Sequence, residues 1–381
     1  MQYRNFPCAP EAKISILGFG SMRMPYLNDD SGQIDEPEAI KMIRYAIDNG
    51  VTYVDTAYPY HKGNSELLVA KALKDGYREK VYLATKHPVW LVEEYADFDK
   101  YLDEQLAKLE TDCIDFYLLH ALNKDRWPKL KELGAIKFLE DARAKGKIKY
   151  IGFSFHDELP LFKQIVDDYN WDFTQIQLNF MDTEYQAGLE GMKYAADHGL
   201  GIIVMEPLRG GSLTKNVPDD VLAVWDKAEI KRTPAEWCLR WAANLPETVT
   251  ILSGMSLMEQ VVENVKVADD CLPNTLTEKE LAIIEEVKEI YTTRTTVNCT
   301  GCKYCMPCPV GINIPGILQS YNTASVYNIK EAAAKRYQTN MIDKGIDATI
   351  CIECGACVSA CPQNIDVPNK LKEAHAYFTQ K

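Results

Sequence analysis

With 381 residues, 46% of them hydrophobic and 25% charged, the chain is long enough for one large domain and a smaller one, each with its own core. Its formal charge of −13 repels nucleic acid and anionic membrane surfaces at long range, which leaves a small molecule or another protein as the expected partner. No apolar run approaches the eighteen or so residues of a membrane span, and no basic segment followed by an apolar core opens the chain, so a cytoplasmic location is expected.

After a short stretch expected to form a hairpin, residues 14–20 read as a first strand running into a glycine turn, and residues 36–49 carry Ala39, Ile40, Ile43, Ala46 and Ile47 at the helical period. The alternation then repeats. Strands are predicted at 51–56, 81–86, 115–120, 150–154, 174–179, 201–206 and 248–253, with amphipathic helical runs between them. Eight strands alternating with helices predict a (β/α)8 TIM barrel, because each crossover helix covers an outer face while the strands fill the interior. An open doubly wound sheet is the alternative. The polar residue at the end of nearly every strand favours one ring of loops over a single crevice. In such a barrel Asp55, Lys86 and His120 converge on one face together with Tyr60 from the first of these loops.

The segment 209–231 is longer than a usual connection and contains Gly210, Gly211 and Pro218, which makes it a candidate lid or a decorated surface loop. A further amphipathic helix covers 276–291, followed by a threonine-rich joint at 292–296. The expected boundary divides a barrel, residues 1–295, from a smaller, mainly helical domain, residues 296–381, in which 317–341 read as helical.

Eight of the twelve cysteines lie between Cys299 and Cys361, and only Cys8, Cys113, Cys238 and Cys271 lie elsewhere, a distribution that fits a reducing compartment. Cys351, Cys354, Cys357 and Cys361, the last followed by Pro362, have the spacing of an iron–sulfur run. Cys299, Cys302, Cys305 and Cys308, the last followed by Pro309, nearly repeat it, with two residues rather than three before the fourth cysteine. Zinc is the alternative ligand, since four closely spaced cysteines also make a zinc site, but two runs each ending in Cys-Pro argue against it.

Asp55-Thr-Ala followed by Tyr60, with Lys86 and His120 at the next two strand ends, resembles the aldo-keto reductase family over residues 14–290. The resemblance implies that Tyr60 is the general acid, that Lys86 and Asp55 tune it by lowering its pKa, and that His120 orients the carbonyl. Tyr58 is the competing phenol, and His61, His87 and His156 are further loop histidines within reach of a substrate. It also implies NAD(P)H as cofactor, with Gly20, Ser21, Met22 and Asp55 near the nicotinamide, Ser154 and Gln175 on its carboxamide, Met205, Glu206 and Leu208 along the seventh strand's loop, and Glu263 and Asn264 on the adenine. Met205 stands where many relatives have an aromatic ring, and Gly254 and Gln260 stand where many have cations for the 2′-phosphate, so NADH becomes as plausible a donor as NADPH.

The cysteine runs resemble those of two-cluster ferredoxins, the helical ones in particular. That implies two 4Fe-4S clusters, one on Cys299, Cys302, Cys305 and Cys361, the other on Cys351, Cys354, Cys357 and Cys308. The expected activity is hydride transfer between a nicotinamide and a small carbonyl or alcohol substrate. The alternative is an electron-transfer protein, with the clusters serving a redox partner and the barrel a docking scaffold. Coupling a two-electron carrier to one-electron clusters normally takes a flavin, for which the sequence carries no signature.

Overall fold

The computed structural model describes residues 1–28, 30–299, 305–361 and 364–380. Strands β1 (Tyr3–Phe6) and β2 (Ala9–Ser15) form an antiparallel hairpin. Strands β3 (Leu17–Gly20), β4 (Tyr53–Asp55), β5 (Tyr82–His87), β6 (Ile114–Leu122), β7 (Ile148–Phe155), β8 (Phe173–Gln177), β9 (Gly201–Met205) and β10 (Thr248–Gly254) close into a parallel barrel. The helices between them are α1 (Glu36–Asp48), α2 (Ser65–Ala72), α3 (Tyr95–Lys108), α4 (Arg126–Glu132), α5 (Ala135–Ala144), α6 (Leu159–Asp168), α7 (Gly188–Asp197), α8 (Asp219–Trp225) and α9 (Pro234–Asn244). Helix α10 (Met258–Val267) follows the last strand.

Local chemistry starts and stops these elements where the barrel needs them. Helix α1 opens on Asp35, whose side chain accepts from the Glu38 N–H, with Pro37 in the first turn, and it buries Ala39, Met42, Ile43, Ala46 and Ile47 as one stripe. Helix α3 opens on a capping box between Glu94 and Asp97.

The hairpin floors the barrel at the N-terminal ends of the strands. Phe6 inserts its ring 4.7 Å from that of Phe116 and 6.0 Å from that of Phe173, in one cluster with Tyr53, Ile203 and Val249. A Cβ on Gly201 would lie 1.8 Å from the Phe6 ring, so glycine is required there by the close approach. The floor leaves the C-terminal ends of the strands as the open face.

Two compact units are separable, one of residues 1–210 and 235–276, the other of 211–234 and 277–381. In the second, α8 packs against α11 (Glu278–Thr293), which begins on a Thr277/Glu280 capping box. Arg294 pairs with Asp220 across these helices. Helices α12 (Ile314–Val326), α13 (Lys330–Tyr337) and α15 (Val367–Thr379) surround a core of Ile312, Ile317, Leu318, Ala324, Leu371 and Ala374, with the short α14 (Ala356–Ser359) beside them. The stretch expected as continuous helix over 317–341 breaks after Val326, where Asn328 adopts φ 51°.

Helices α12 and α15 begin alike. Cys308 and Cys361 are each followed by Pro, two residues, Ile, an Asx, an apolar residue and Pro. Asn313 and Asp366 cap the two helices by accepting from the N–H of Gly316 and Asn369, with Pro315 and Pro368 in the first turns. The two halves of this unit are therefore built on one repeated turn. No helix among the described residues is long and apolar enough to cross a membrane.

The floor gives a measurable coupling. Phe6→Ala should destabilise the barrel by about 3–5 kcal/mol, and Gly201→Ala by about 1–3 kcal/mol through overpacking. The double variant should lose less than the sum, because the new methyl enters the space the ring vacates. Denaturant titration of the barrel transition in all four proteins checks this, and strict additivity would contradict the plugged floor.

Candidate active site

Adjacent strand ends bring the four expected residues together. Asp55 is the last residue of β4 and pairs in register with Ala84 and Gly20, while Lys86 on β5 pairs with Leu118 on β6, two residues before His120. Lys86 Nζ donates to both Asp55 carboxylate oxygens and to the Thr56 carbonyl at 2.7 Å each. Lys86 is 1% and Asp55 2% exposed, so the pair is dry. Burial pulls the lysine down, but Asp55 and Tyr60 outweigh it and hold the ammonium above its ordinary range. Burial raises the Asp55 carboxyl against the pull of the same cation.

Lys86 Nζ lies 4.9 Å from the Tyr60 ring centroid, close enough for its charge to act on the phenol. Lys86 lowers the phenol as the sequence suggests, yet burial is the larger effect and the net shift is upward. The expected net lowering is thus corrected by desolvation: the phenol in this pocket holds its proton. His120 packs edge-on to Tyr60 with centroids 6.2 Å apart, and its Nδ1 is buried without a partner among the described residues. Burial, then Lys86, His156 and Arg126, push its pKa well down, so the imidazole is neutral. A buried N–H without an acceptor costs more than a lone pair, which favours the tautomer protonated at Nε2.

Behind the lysine lies a network the sequence did not reveal. Gln105 Nε2 donates to Glu66 Oε1 at 2.6 Å and to the Lys86 carbonyl at 3.1 Å, and Thr85 Oγ1 donates to the same Glu66 oxygen at 2.7 Å. Tyr117 donates to Gln105 Oε1 at 2.8 Å, and the buried Glu66 carboxyl is raised by desolvation. These contacts clamp the backbone of β5 beside Lys86 from the helix side.

The competing side chains go elsewhere. Tyr58 donates to Glu104 on α3 at 3.0 Å beneath Lys108, and burial and Glu104 push its pKa up to about 12. His87, one residue past Lys86, faces the opposite side of β5 by strand alternation and sits in a cage with Phe98 and Phe138, where burial pushes it down to about 4. His61 bridges the Ser31 carbonyl and the Met24 N–H, pinning the loop after β3. His156 does lie near His120, with Gln186 beside it.

Of the residues expected around a nicotinamide, Gly20 abuts Ser253, and Ser21 is buried in a hydroxyl chain through Ser65 to Thr56, with 2.8 Å at each step. Met22 is exposed at the rim. Ser154 Oγ accepts from the Ala121 N–H at 2.7 Å, and Gln175 donates to the Met205 sulfur while its Oε1 is buried and unpartnered among the described residues. Glu206 takes a left-handed backbone, φ 56°, with its carbonyl held by Asn179, and Leu208 is half-buried in the same loop. Asn264 turns inward to donate to Ser253 Oγ at 3.1 Å, Glu263 beside it is half-buried, and Gln260 accepts from the Ser256 N–H. Two cations went unnoticed in the sequence. Arg23 runs its stem along Gly254 and its guanidinium toward Gly210, and Arg126 lies near His120. The first directly follows the glycine turn, which was a signal available for it.

In the second unit Cys305, Cys308, Cys351, Cys354 and Cys357 line a cavity of about 100 Å³ whose walls include Val310, Ile312, Ile314 and Leu371. Cys299 and Cys361 pack against the same core, and Cys302 lies outside the described residues. Soft thiols in an apolar cradle are the donor set an iron–sulfur cluster requires.

The family model for the aldo/keto reductase family matches residues 16–289, and that for a 4Fe-4S dicluster domain matches residues 298–365. The probable aldo-keto reductase 1 of Glycine max is 27% identical over 312 residues, 73% of this chain and 86% of that protein. The NADH-specific methylglyoxal reductase of Escherichia coli K12 is 25% identical over 323 residues, 72% of this chain and 95% of that protein. Among solved structures, the holo form of aldo-keto reductase AKR11C1 from Bacillus halodurans is similar with a TM-score of 0.62 and 26% identity, covering 75% of this chain and 96% of that one. A barrel with these strand ends, matched over most of its length, belongs to the aldo/keto reductase family, and it carries a 4Fe-4S dicluster domain at its C-terminal side.

Proposed function

We propose that the barrel reduces an aldehyde or ketone to an alcohol, or runs the reverse, with a nicotinamide dinucleotide, and that Tyr60, Lys86, Asp55 and His120 carry the reaction. The observation that carries this is the convergence of a protonated phenol, a dry ion pair and a neutral imidazole at neighbouring strand ends. When bound, the nicotinamide supplies hydride to the carbonyl carbon. His120 donates its Nε2–H to the carbonyl oxygen and polarises it. Tyr60 then passes its proton to the developing alkoxide, and the phenolate left behind is stabilised by Lys86, which Asp55 keeps charged and in place.

The residues present fit a nicotinamide carboxamide. The orphaned Gln175 Oε1 can accept its N–H, and the Ser154 hydroxyl, whose oxygen already accepts from Ala121, keeps a proton to donate to its carbonyl. Met205 offers an apolar wall in place of an aromatic ring. The NADH-specific relative from Escherichia coli supports the same donor class here.

The C-terminal part of the chain is proposed to hold two clusters, Cys299, Cys302, Cys305 and Cys361 on one, Cys351, Cys354, Cys357 and Cys308 on the other. The repeated Cys-Pro turn supports equivalent roles for Cys308 and Cys361 despite the shorter spacing before Cys308, and Cys305 and Cys308 share a cavity with Cys351, Cys354 and Cys357, so thiols of both runs lie together. Bound there, clusters would move single electrons.

Three measurements test these assignments. Tyr60→Phe should cost about two to four orders of magnitude in kcat with nicotinamide affinity nearly unchanged, whereas Tyr58→Phe, which loses only a bond to Glu104, should cost little. Equal, small losses would remove Tyr60 from the role of acid. With no cation at Gly254 or Gln260, fluorescence titration should find NADPH bound no more than about tenfold tighter than NADH, roughly 1.4 kcal/mol. A hundredfold preference would hand the clamp to Arg23. Finally, anaerobically purified protein should contain about eight irons and eight acid-labile sulfides per chain. Stoichiometric zinc without sulfide would refute the clusters, and half the iron would point to the irregular first run.

A further inference from the structure

We infer that the site selects carbonyl compounds that also bear a carboxylate, with Arg126 as the anchor for that second group. The inference rests on the reductase reading and adds its substrate class.

Arg126 opens α4, just beyond the end of β6. The β6–β7 pairing is irregular between Leu119 and Leu122, and Ala121, directly after His120, adopts φ 55°. That turn aims the Ala121 carbonyl at Arg126, whose Nη1 donates to it at 2.8 Å. The guanidinium lies 5.6 Å from the Trp90 ring centroid, and that ring in turn lies 5.3 Å from the His120 ring. One indole therefore neighbours both the cation and the imidazole proposed to hold the substrate carbonyl.

The partners of Arg126 among the described residues are a carbonyl and a ring, not a carboxylate. Several other arginines of the barrel do have carboxylate partners, Arg78 with Asp115, Arg143 with Asp172, and Arg209 with Asp182. A half-buried guanidinium fixed at one N–H keeps four more in a planar fork, the arrangement that binds a carboxylate through two parallel hydrogen bonds. Its positive field also reaches His120 and His156, both of which it depresses. Trp90 itself is 36% exposed, so its face is available as the apolar wall beneath a short carbon spacer. A carboxylate on Arg126 and a carbonyl at Tyr60 and His120 must be separated by such a spacer, which selects semialdehydes and keto acids of a few carbons over simple aldehydes.

The test compares succinic semialdehyde with butanal, of equal chain length, on the full-length protein and on Arg126→Met and Arg126→Gln. The second variant retains a donor for the Ala121 carbonyl and guards against a folding defect. The native protein should favour the acid. Both variants should raise its KM by about ten- to one-hundredfold, the loss of a charge-assisted pair, with kcat and the kinetics of butanal changed less than about twofold. Equal losses on both substrates would mean that Arg126 only braces the loop, and an unchanged KM for the acid would also overturn the anchor. If native protein binds nicotinamide but turns over neither compound, the reductase reading fails separately. Calorimetric titration of the nucleotide-loaded protein with succinate then decides the anchor: binding lost in both variants supports it, and binding unchanged overturns it.

Discussion

The dry ion pair of Asp55 and Lys86 is the constraint on which the site is organised. Two charges removed from water cost several kcal/mol each, and only close geometry with every proton satisfied repays that. The barrel supplies the geometry. Both carboxylate oxygens and the Thr56 carbonyl lie 2.7 Å from one ammonium, and the Glu66–Gln105 network fixes the strand that carries it. Removing either charge would leave the other buried alone, a loss of about 3–5 kcal/mol. The same cation acts on Tyr60 and His120 in directions that suit their proposed roles. It restrains the rise of the phenol's pKa, easing release of the proton that burial retains, and adds to the burial that keeps the imidazole neutral.

Much of this was legible in the chain because the relevant signals are local. Strands are short apolar runs, their polar ends lie at the same point of each repeat, and the barrel follows from counting them. What escaped depends on partners far away in sequence. The sign of the Tyr60 shift is a contest between a neighbouring cation and burial, and burial cannot be read before the walls are known. Tyr58 and His61 remained lesser candidates beside Tyr60 until Glu104 and the Ser31 carbonyl claimed them. His87 is different: period-two alternation already sends it away from Lys86, so that signal was present and unused. The break between α12 and α13 had a local signal in Asn328, which takes the left-handed backbone there, whereas the clustering of residues 211–234 with the C-terminal helices joins segments far apart in sequence.

The C-terminal unit repeats one turn after two cysteines that differ in the spacing before them. Cysteines 305 and 308 are one residue closer than 357 and 361, yet Ile312 and Ile365, four residues beyond each fourth cysteine, are both buried in one core. Each is followed by an Asx cap that starts a helix, so Cys308 and Cys361 are fixed from their C-terminal sides by equivalent anchors. The positions of Cys308 and Cys361 thus depend on the turn and cap on their C-terminal sides as well as on the spacing on their N-terminal sides.

Electrostatics ties the barrel's chemistry to its choice of ligands. The chain as a whole is acidic, with a net charge of −13, and repels anions at long range. Around the strand ends Lys86 is matched by Asp55, and Arg23 and Arg126 add positive charge from two different segments. A low-dielectric barrel beneath them concentrates that field at the open face. Arg23, beside Gly254 and Gly210, then faces the side on which a dinucleotide's phosphates are expected, and Arg126, beside Trp90, faces the side proposed for substrate. With a cation on each side, charge on the substrate would become a criterion of selection that a neutral apolar pocket could not apply.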